Sequence, residues 1–268
     1  MDVRGHPRNE RWHQILDSPT REQLKAVAIR AGFGNRLRQI KRAFEPDWVT
    51  PDRADNDHLR AILGAVLRPD SNCIDVGAHS GVFLAEIARL APVGRHIAYE
   101  PLPELAADLA RRFPAVDVRQ RALSDREGRA EFVHVLTRPG WSGFRERPYP
   151  DKETVCRIMV PTESLDRAVA RDYVPHFIKI DVEGAEEQVL RGAVETIRRH
   201  RPLVALEHGL GSADYYGTRP ETIHTILTVA AGLSVFDLDG GGPYSAEAFT
   251  RAFERSERVN FLARFWQR

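Results

Sequence analysis

The chain has 268 residues, 42% of them hydrophobic, enough for one large packed domain with an appendage. Thirty-nine Lys and Arg against 38 Asp and Glu give a formal charge of +1, a balance that gives no footing to nucleic acid or an anionic membrane. Cys73 and Cys156 lie in apolar runs without CxxC or His-rich spacing, which predicts two buried thiols in a reducing, cytoplasmic setting.

The N-terminus, MDVRGHPRNERWHQ, is charged where a secretory signal needs an apolar core, and no window approaches the roughly 18 apolar residues of a membrane span. Residues 18–33, SPTREQLKAVAIRAGF, place Ser18 or Thr20 as a helix N-cap and Gly32 as a stop, with apolar residues at helical spacing between them. Residues 1–55 are therefore expected to form a helical cap, ending in the Pro- and Asp-rich linker PDWVTPDRADN. Those helices are free to close a pocket or to build a homodimer.

From residue 56 to the end the apolar runs alternate between strand-like and helix-like. A helix in DHLRAILGAVL leads into the strand NCIDV, and helix-like segments follow it and RHIAYE; AVDVRQRAL opens a more β-rich stretch. HFIKID precedes the helical GAEEQVLRGAVETIRRH, PLVALEHG precedes RPETIHTILTVAAG, SVFDLD precedes SAEAFTRAF, and ERVNFLARF closes the chain. DGGGP, 239–243, reads as a turn. Continuous rather than alternating apolar strands between helices predict a mostly parallel sheet covered on both faces, a doubly wound α/β fold. Ligands of such folds bind beyond the carboxyl ends of the strands, where Asp75, Glu100, Asp181, Glu207 and His208 fall.

The segment DVGAHSG places Gly77 and Gly81 four apart, with Asp75 two residues ahead. A dinucleotide turn would read GxGxxG, but His79 holds the central position and Val82 the third, and no GxxxxGK[ST] is present. An acid, a two-glycine turn and Glu100 at the end of the next strand suit a nucleoside with an amino acid end, the carboxylate accepting both hydrogens of a ribose diol. S-adenosylmethionine has that shape.

Six blocks, CIDVGAHSGVF, AYEPLPE, ALSDREGRAEF, VPTESLD, FIKIDVEGAEEQVLRGA and PLVALEHG, occur in an order and spacing that resemble the FkbM-type S-adenosylmethionine-dependent methyltransferases. The resemblance runs from about residue 72 to the C-terminus, and IKIDVEGAE is its most specific block. It implies a Rossmann-like sheet of seven strands and methyl transfer to a hydroxyl of a sugar, glycoside or secondary metabolite, leaving S-adenosylhomocysteine. It carries cofactor roles onto Asp75, Gly77, Ala78, His79 and Gly81 at the methionine end, Glu100 and Pro101 at the ribose, and Ala122, Leu123 and Ser124 beside the adenine. Asp181 and Glu183 map nearest the transferred methyl. His79 stands where many relatives have Asn.

A hydroxyl is a poor nucleophile near neutral pH, and a base that takes its proton as attack proceeds contributes about 10²–10⁴-fold. His208 is the first choice, because imidazole titrates near neutrality, with Glu207 beside it to orient the ring; Asp181 is the second. Asp181, Glu183, Glu207 and His208 also make a donor set of the kind that binds Mg²⁺, although acids after strands are too common to assign a metal. Lys179 is expected to lie along the sheet with its stem packed.

An insertion over about residues 137–155, TRPGWSGFRERPYPDKE at its centre, mixes Trp141, Phe144 and Tyr149 with Arg138, Arg145 and Arg147 and reads as a mobile lid over a small-molecule or glycosidic acceptor. Tyr215 and Tyr216, in HGLGSADYYGTRPE, would line the opposite wall. Two alternatives from other classes stay open at this point: a nicotinamide-dependent oxidoreductase and a non-catalytic nucleoside-binding module.

Overall fold

A computed structural model describes residues 51–149 and 152–267, so the predicted helical cap over residues 1–50 lies outside the described residues. Of these, helix α1 (Pro51–Val66) and Asp239–Gly241 fall in one compact unit, and Leu67–Leu238 with Gly242–Arg268 in another. Helix α1 begins inside the predicted linker. Proline suits a first helical turn, where its missing N–H has no partner to lose, so PDRADN reads equally well as a helix start. Within that unit His58 Nδ1 lies 3.0 Å from Asp239 Oδ1.

The larger unit opens with β1 (Cys73–Val76), α2 (Val82–Leu90), β2 (Ile97–Tyr99), α3 (Pro103–Arg112) and β3 (Asp117–Arg119). It continues with β4 (Ala122–Leu123), β5 (Gly128–Val135), β6 (Val155–Glu163), the short α4 (Leu165–Ala168) and β7 (Phe177–Ile180). Last come α5 (Glu186–Arg191), α6 (Val194–His200), β8 (Leu203–Glu207), α7 (Pro220–Thr225), β9 (Ser234–Asp237), α8 (Ala246–Glu254) and β10 (Asn260–Arg264). Seven strands form one sheet in the order β3-β2-β1-β7-β8-β10-β9, parallel except for β10, which runs antiparallel to both neighbours. This is the Rossmann-like sheet that the sequence predicts. The β-rich stretch closes into a separate sheet, β4-β6-β5.

Every residue of β1 and β7 is buried, as continuous apolar runs require. Ile74, Val76, Ile178, Ile180, Val204 and Leu206 share one core cluster with Phe249 and Phe261, each such side chain stabilising the fold by about 1.5–3 kcal/mol. The chain leaves β1 towards β2 on one side and returns through β7 on the other, so the strand order reverses between β1 and β7 and opens a crevice at their carboxyl ends. Register aligns Asp75 with Lys179 and Val76 with Ile180 there.

The helix expected over GAEEQVLRGAVETIRRH is two helices. Gly192 packs so closely on the end of β4 that a Cβ would lie 2.0 Å from the Ser124 carbonyl oxygen, and the chain restarts as α6 with Asp166 accepting the Glu195 and Thr196 N–H groups. Only one of the two thiols is fully buried: burial, then Asp75, push Cys73 up to about 12, whereas Cys156 is half-buried. No helix among the described residues is long and apolar enough to cross a membrane.

Candidate functional site: a cleft at the strand crossover

The turn after β1 is shaped by glycine at two points. Gly77 has φ +79°, and a Cβ on it would stand 1.9 Å from the Asp181 carbonyl oxygen, so the ends of β1 and β7 approach as closely as bare backbone permits. Gly81, φ +75°, seats α2 against Leu109 of α3, 2.6 Å from where its Cβ would be.

The N–H groups of this turn are already used. Those of Gly77 and Ala78 both donate to the Tyr99 carbonyl, at 3.0 and 3.1 Å, and that of Gly81 donates to Ala78 O at 2.7 Å. The His79 N–H donates to Glu100 Oε2 at 2.8 Å, and the Leu102 N–H to Oε1 at 2.9 Å. None of these four N–H groups is left to face a ligand. What faces the cleft is Glu100, each oxygen held by one N–H with a lone pair to spare. Burial pushes its carboxyl up to about 7 against the pull of the two N–H groups.

Beneath the turn Asp75 is 1% exposed, and among the described residues neither carboxylate oxygen has a hydrogen-bond partner; Lys179 Nζ is 3.9 Å away. Burial raises Asp75, Lys179 pulling the other way. The ammonium of Lys179 is buried, not snorkelled along the sheet: it donates to Asp181 Oδ2 at 2.8 Å and sits over the Phe83 ring. Burial alone would lower Lys179, but Asp181 and Asp75 outweigh it and leave it raised.

At the open end, Glu183 takes a left-handed backbone, φ +56°, and meets Arg147 Nη2 at 2.6 Å, while Arg147 Nη1 donates to Gly211 O at 2.8 Å. Burial, together with the Asp181 charge, overrides Arg147 and puts Glu183 at about 7. Although its side chain is exposed at the end of β8, Glu207 is pushed up to about 8, by desolvation from the protein around it and then by the charges of Asp181 and Glu183. The insertion closes over the turn, with Gly140 packed beside the His79 ring. Its Trp141 stacks on Tyr149 at 5.9 Å and lies under Arg138 at 4.5 Å. The faces expected to receive an acceptor are in good part taken up within the insertion itself. Phe144 meets Phe132 edge-to-face, 5.4 Å apart.

The Methyltransferase FkbM domain model matches residues 75–229, more than half of the chain and all of this cleft. The chain belongs to the FkbM methyltransferase family. FkbM proteins are S-adenosylmethionine-dependent methyltransferases, and the nicotinamide alternative falls with that membership. A stretch of 92 residues is 42% identical to the AMB antimetabolite synthetase AmbE of Pseudomonas aeruginosa, covering 33% of this chain and 4% of AmbE. Over 191 residues the chain is 28% identical to the 2-O-methyltransferase NoeI of Sinorhizobium fredii, covering 65% of this chain and 77% of NoeI. Among solved structures, Methyltransferase FkbM from Methylobacillus flagellatus is 16% identical with a TM-score of 0.46, covering 74% of this chain and 44% of that one.

Of the FkbM motif positions, Gly77, His79, Glu100, Pro101, Ala122, Leu123, Asp181 and Glu183 line one cleft of about 180 Å³, and Phe144 of the insertion lines it too. Asp75, Ala78, Gly81 and Ser124 are buried behind it. Trp141, Arg145, Glu207, Tyr215 and Tyr216 do not line it; Tyr216 instead wedges against Gly143 and Gly184. Leu102, Phe132, Ser142 and Val182 also form its walls, although nothing in their spacing marked them.

His208 does not open onto the cleft. It is 0% exposed, its ring stacked on Phe253 at 4.8 Å and parallel to Phe249 at 6.1 Å. Side chains alternate along β8 and just past it, so exposed Glu207 is followed by an inward His208, which α8 then covers. The partner beside its ring is Glu186, with Oε2 3.5 Å from Nδ1, and not Glu207. The Mg²⁺ donor set does not assemble either: His208 is enclosed, Asp181 is paired with Lys179 and Glu183 with Arg147. Among the described residues no group of three or more His, Cys, Asp or Glu is arranged to hold a metal.

Proposed function

We propose that this chain transfers the methyl group of S-adenosylmethionine to a hydroxyl of a sugar, glycoside or related small molecule, with Glu183 as the proton acceptor. The donor supplies an electrophilic methyl on a positive sulfonium, and the residues of the cleft fit it. Gly77 is on the cleft lining, Glu100 has two free lone pairs for a diol, and Ala122 and Leu123 offer an apolar wall for a base. Asp181, held by Lys179, is a fixed negative charge on the lining next to the turn.

The observation that carries the choice of a hydroxyl acceptor is Glu183, a carboxyl on the wall of that cleft, with one oxygen held by Arg147 at 2.6 Å, that burial pushes up to about 7. A group titrating near the working pH is ionised often enough to accept a proton and basic enough to hold it. The acceptor proton would leave oxygen for a Glu183 carboxylate oxygen as the new carbon–oxygen bond forms. Phe144 on the wall would bind the acceptor; the similarity to a protein named a 2-O-methyltransferase supports oxygen as the nucleophile.

The test is S-adenosylmethionine binding by calorimetry combined with S-adenosylhomocysteine release in the presence of a panel of glycosides and polyhydroxylated metabolites. Glu183→Gln is expected to keep donor affinity and to lose about 10²-fold or more in kcat. Full turnover in that variant removes Glu183 as base. Donor binding without product release from any hydroxyl compound would favour a non-catalytic module.

A further inference from the structure

We propose that Glu186 is a positioning residue for methyl transfer: its buried carboxylate fixes the turn that presents Glu183 to the cleft. This rests on the reading of Glu183 as proton acceptor. Glu183 sits in the left-handed region at φ +56°, and Gly184 follows at φ +108°. A non-glycine residue does not stay in that region unless its surroundings hold it there.

Two groups hold it. From one side Tyr216 packs on Gly184 so closely that a Cβ there would meet its ring at 2.6 Å. From the other, Glu186 Oε1 accepts the Gly184 N–H at 2.8 Å. Glu186 is 2% exposed, and its second oxygen, without a hydrogen bond, faces the imidazole of His208 at 3.5 Å. His208 in turn is wedged against Phe249 and Phe253, and its main-chain N–H donates to Val259 O at 2.6 Å, so the imidazole has no path to solvent. An imidazole and a carboxylate enclosed together without full hydrogen bonding are costly to bury. Filling the volume alone would need neither; an acceptor aimed at the Gly184 N–H does need Glu186.

The charged groups around Glu183 are Arg147, Asp181, Glu186 and Glu207. Glu186→Leu and Glu186→Gln both remove the Glu186 charge from this set, but only Gln keeps an oxygen able to accept the Gly184 N–H. Any difference between them therefore reads the hydrogen bond and not the electrostatics.

The experiment follows the Glu183 carboxyl by ¹³C NMR, its resonance assigned by its loss in Glu183→Gln, and measures S-adenosylmethionine affinity in parallel. In wild type the titration midpoint is expected near 7, and in Glu186→Gln somewhat lower, by the lost Glu186 charge alone. In Glu186→Leu the turn relaxes, the carboxyl reaches water and the midpoint falls further, towards the ordinary glutamate value, with donor affinity kept within about threefold because Gly77 and Glu100 follow other strands, β1 and β2. Where a hydroxyl acceptor is turned over, kcat is expected to fall about 10²-fold in Leu and to be largely restored in Gln. An unchanged midpoint in Leu, or an equal shift in Gln, overturns the positioning role. Should Leu not fold, Glu186→Met, which also removes both the charge and the carboxyl oxygen, replaces it under the same criteria. Activity retained in Glu183→Gln would instead sink the base assignment and leave the titration result standing.

Discussion

The two ends of the cleft are held by different means. At the glycine turn the grip is main chain: Gly77 and Ala78 on the Tyr99 carbonyl, His79 and Leu102 on Glu100. At the outer end it is side-chain charge, Lys179 on Asp181 and Arg147 on Glu183, the second pair tying β7's loop to the insertion and to Gly211. A backbone scaffold is preorganised and intolerant of added atoms, whereas ion pairs between loops respond to pH and to a ligand. Such a division suits a fixed donor and a variable acceptor.

The largest effect expected at the backbone-held end comes from one methyl group. Gly77→Ala places a Cβ 1.9 Å from the Asp181 carbonyl oxygen and a non-glycine residue at φ +79°. The overlap and the strain each cost about 1–3 kcal/mol, and relief requires β1 and β7 to part at the proposed donor site. Thermal denaturation and donor calorimetry should both show the loss; a variant of near-native stability and affinity would mean that the close approach is not needed.

Glu100→Ala is the next step down. It orphans the His79 and Leu102 N–H groups, at about 1–3 kcal/mol for each that water does not reach, and removes the proposed diol ligand. S-adenosylmethionine should bind at least about tenfold more weakly, on the order of 1.4 kcal/mol. Unchanged affinity would move the ribose elsewhere.

What the sequence disclosed divides along the same line. β1, β7 and β8 are legible because a strand buried on both faces needs an unbroken apolar run, and Gly77 because a tight turn after such a strand admits little else. The outer end depends on contacts between distant segments, which no local spacing reports. His208 reads as an accessible base until α8 brings Phe249 and Phe253 over it. Glu186 looks like any acid in a helix's first turn until it is found enclosed with the Gly184 N–H. Trp141 looks like a sugar platform until Tyr149 and Arg138 cover its faces. Gly192, inside a good helical pattern, breaks the helix only because the Ser124 carbonyl lies against it.

The smallest expected effect is a pH dependence that both ends share. Glu100 and Glu183 titrate at about 7 and Glu207 at about 8 in the folded chain, against an ordinary value of 4.5. Between those limits the folded state holds protons that the unfolded chain has released, so stability is greatest at the acid side of the window and declines as pH rises from about 5 to 8. The Tm of the donor-free protein should fall over that range, with Glu207 contributing less because solvent screens it. Glu100→Gln should flatten the slope by removing the most deeply buried of the three, and Glu207→Gln should do so less. A Tm that climbs from pH 5 to 8 would mean that these carboxyls are better paired when charged than their burial implies, and the proton-accepting role of Glu183 would then lose its physical basis.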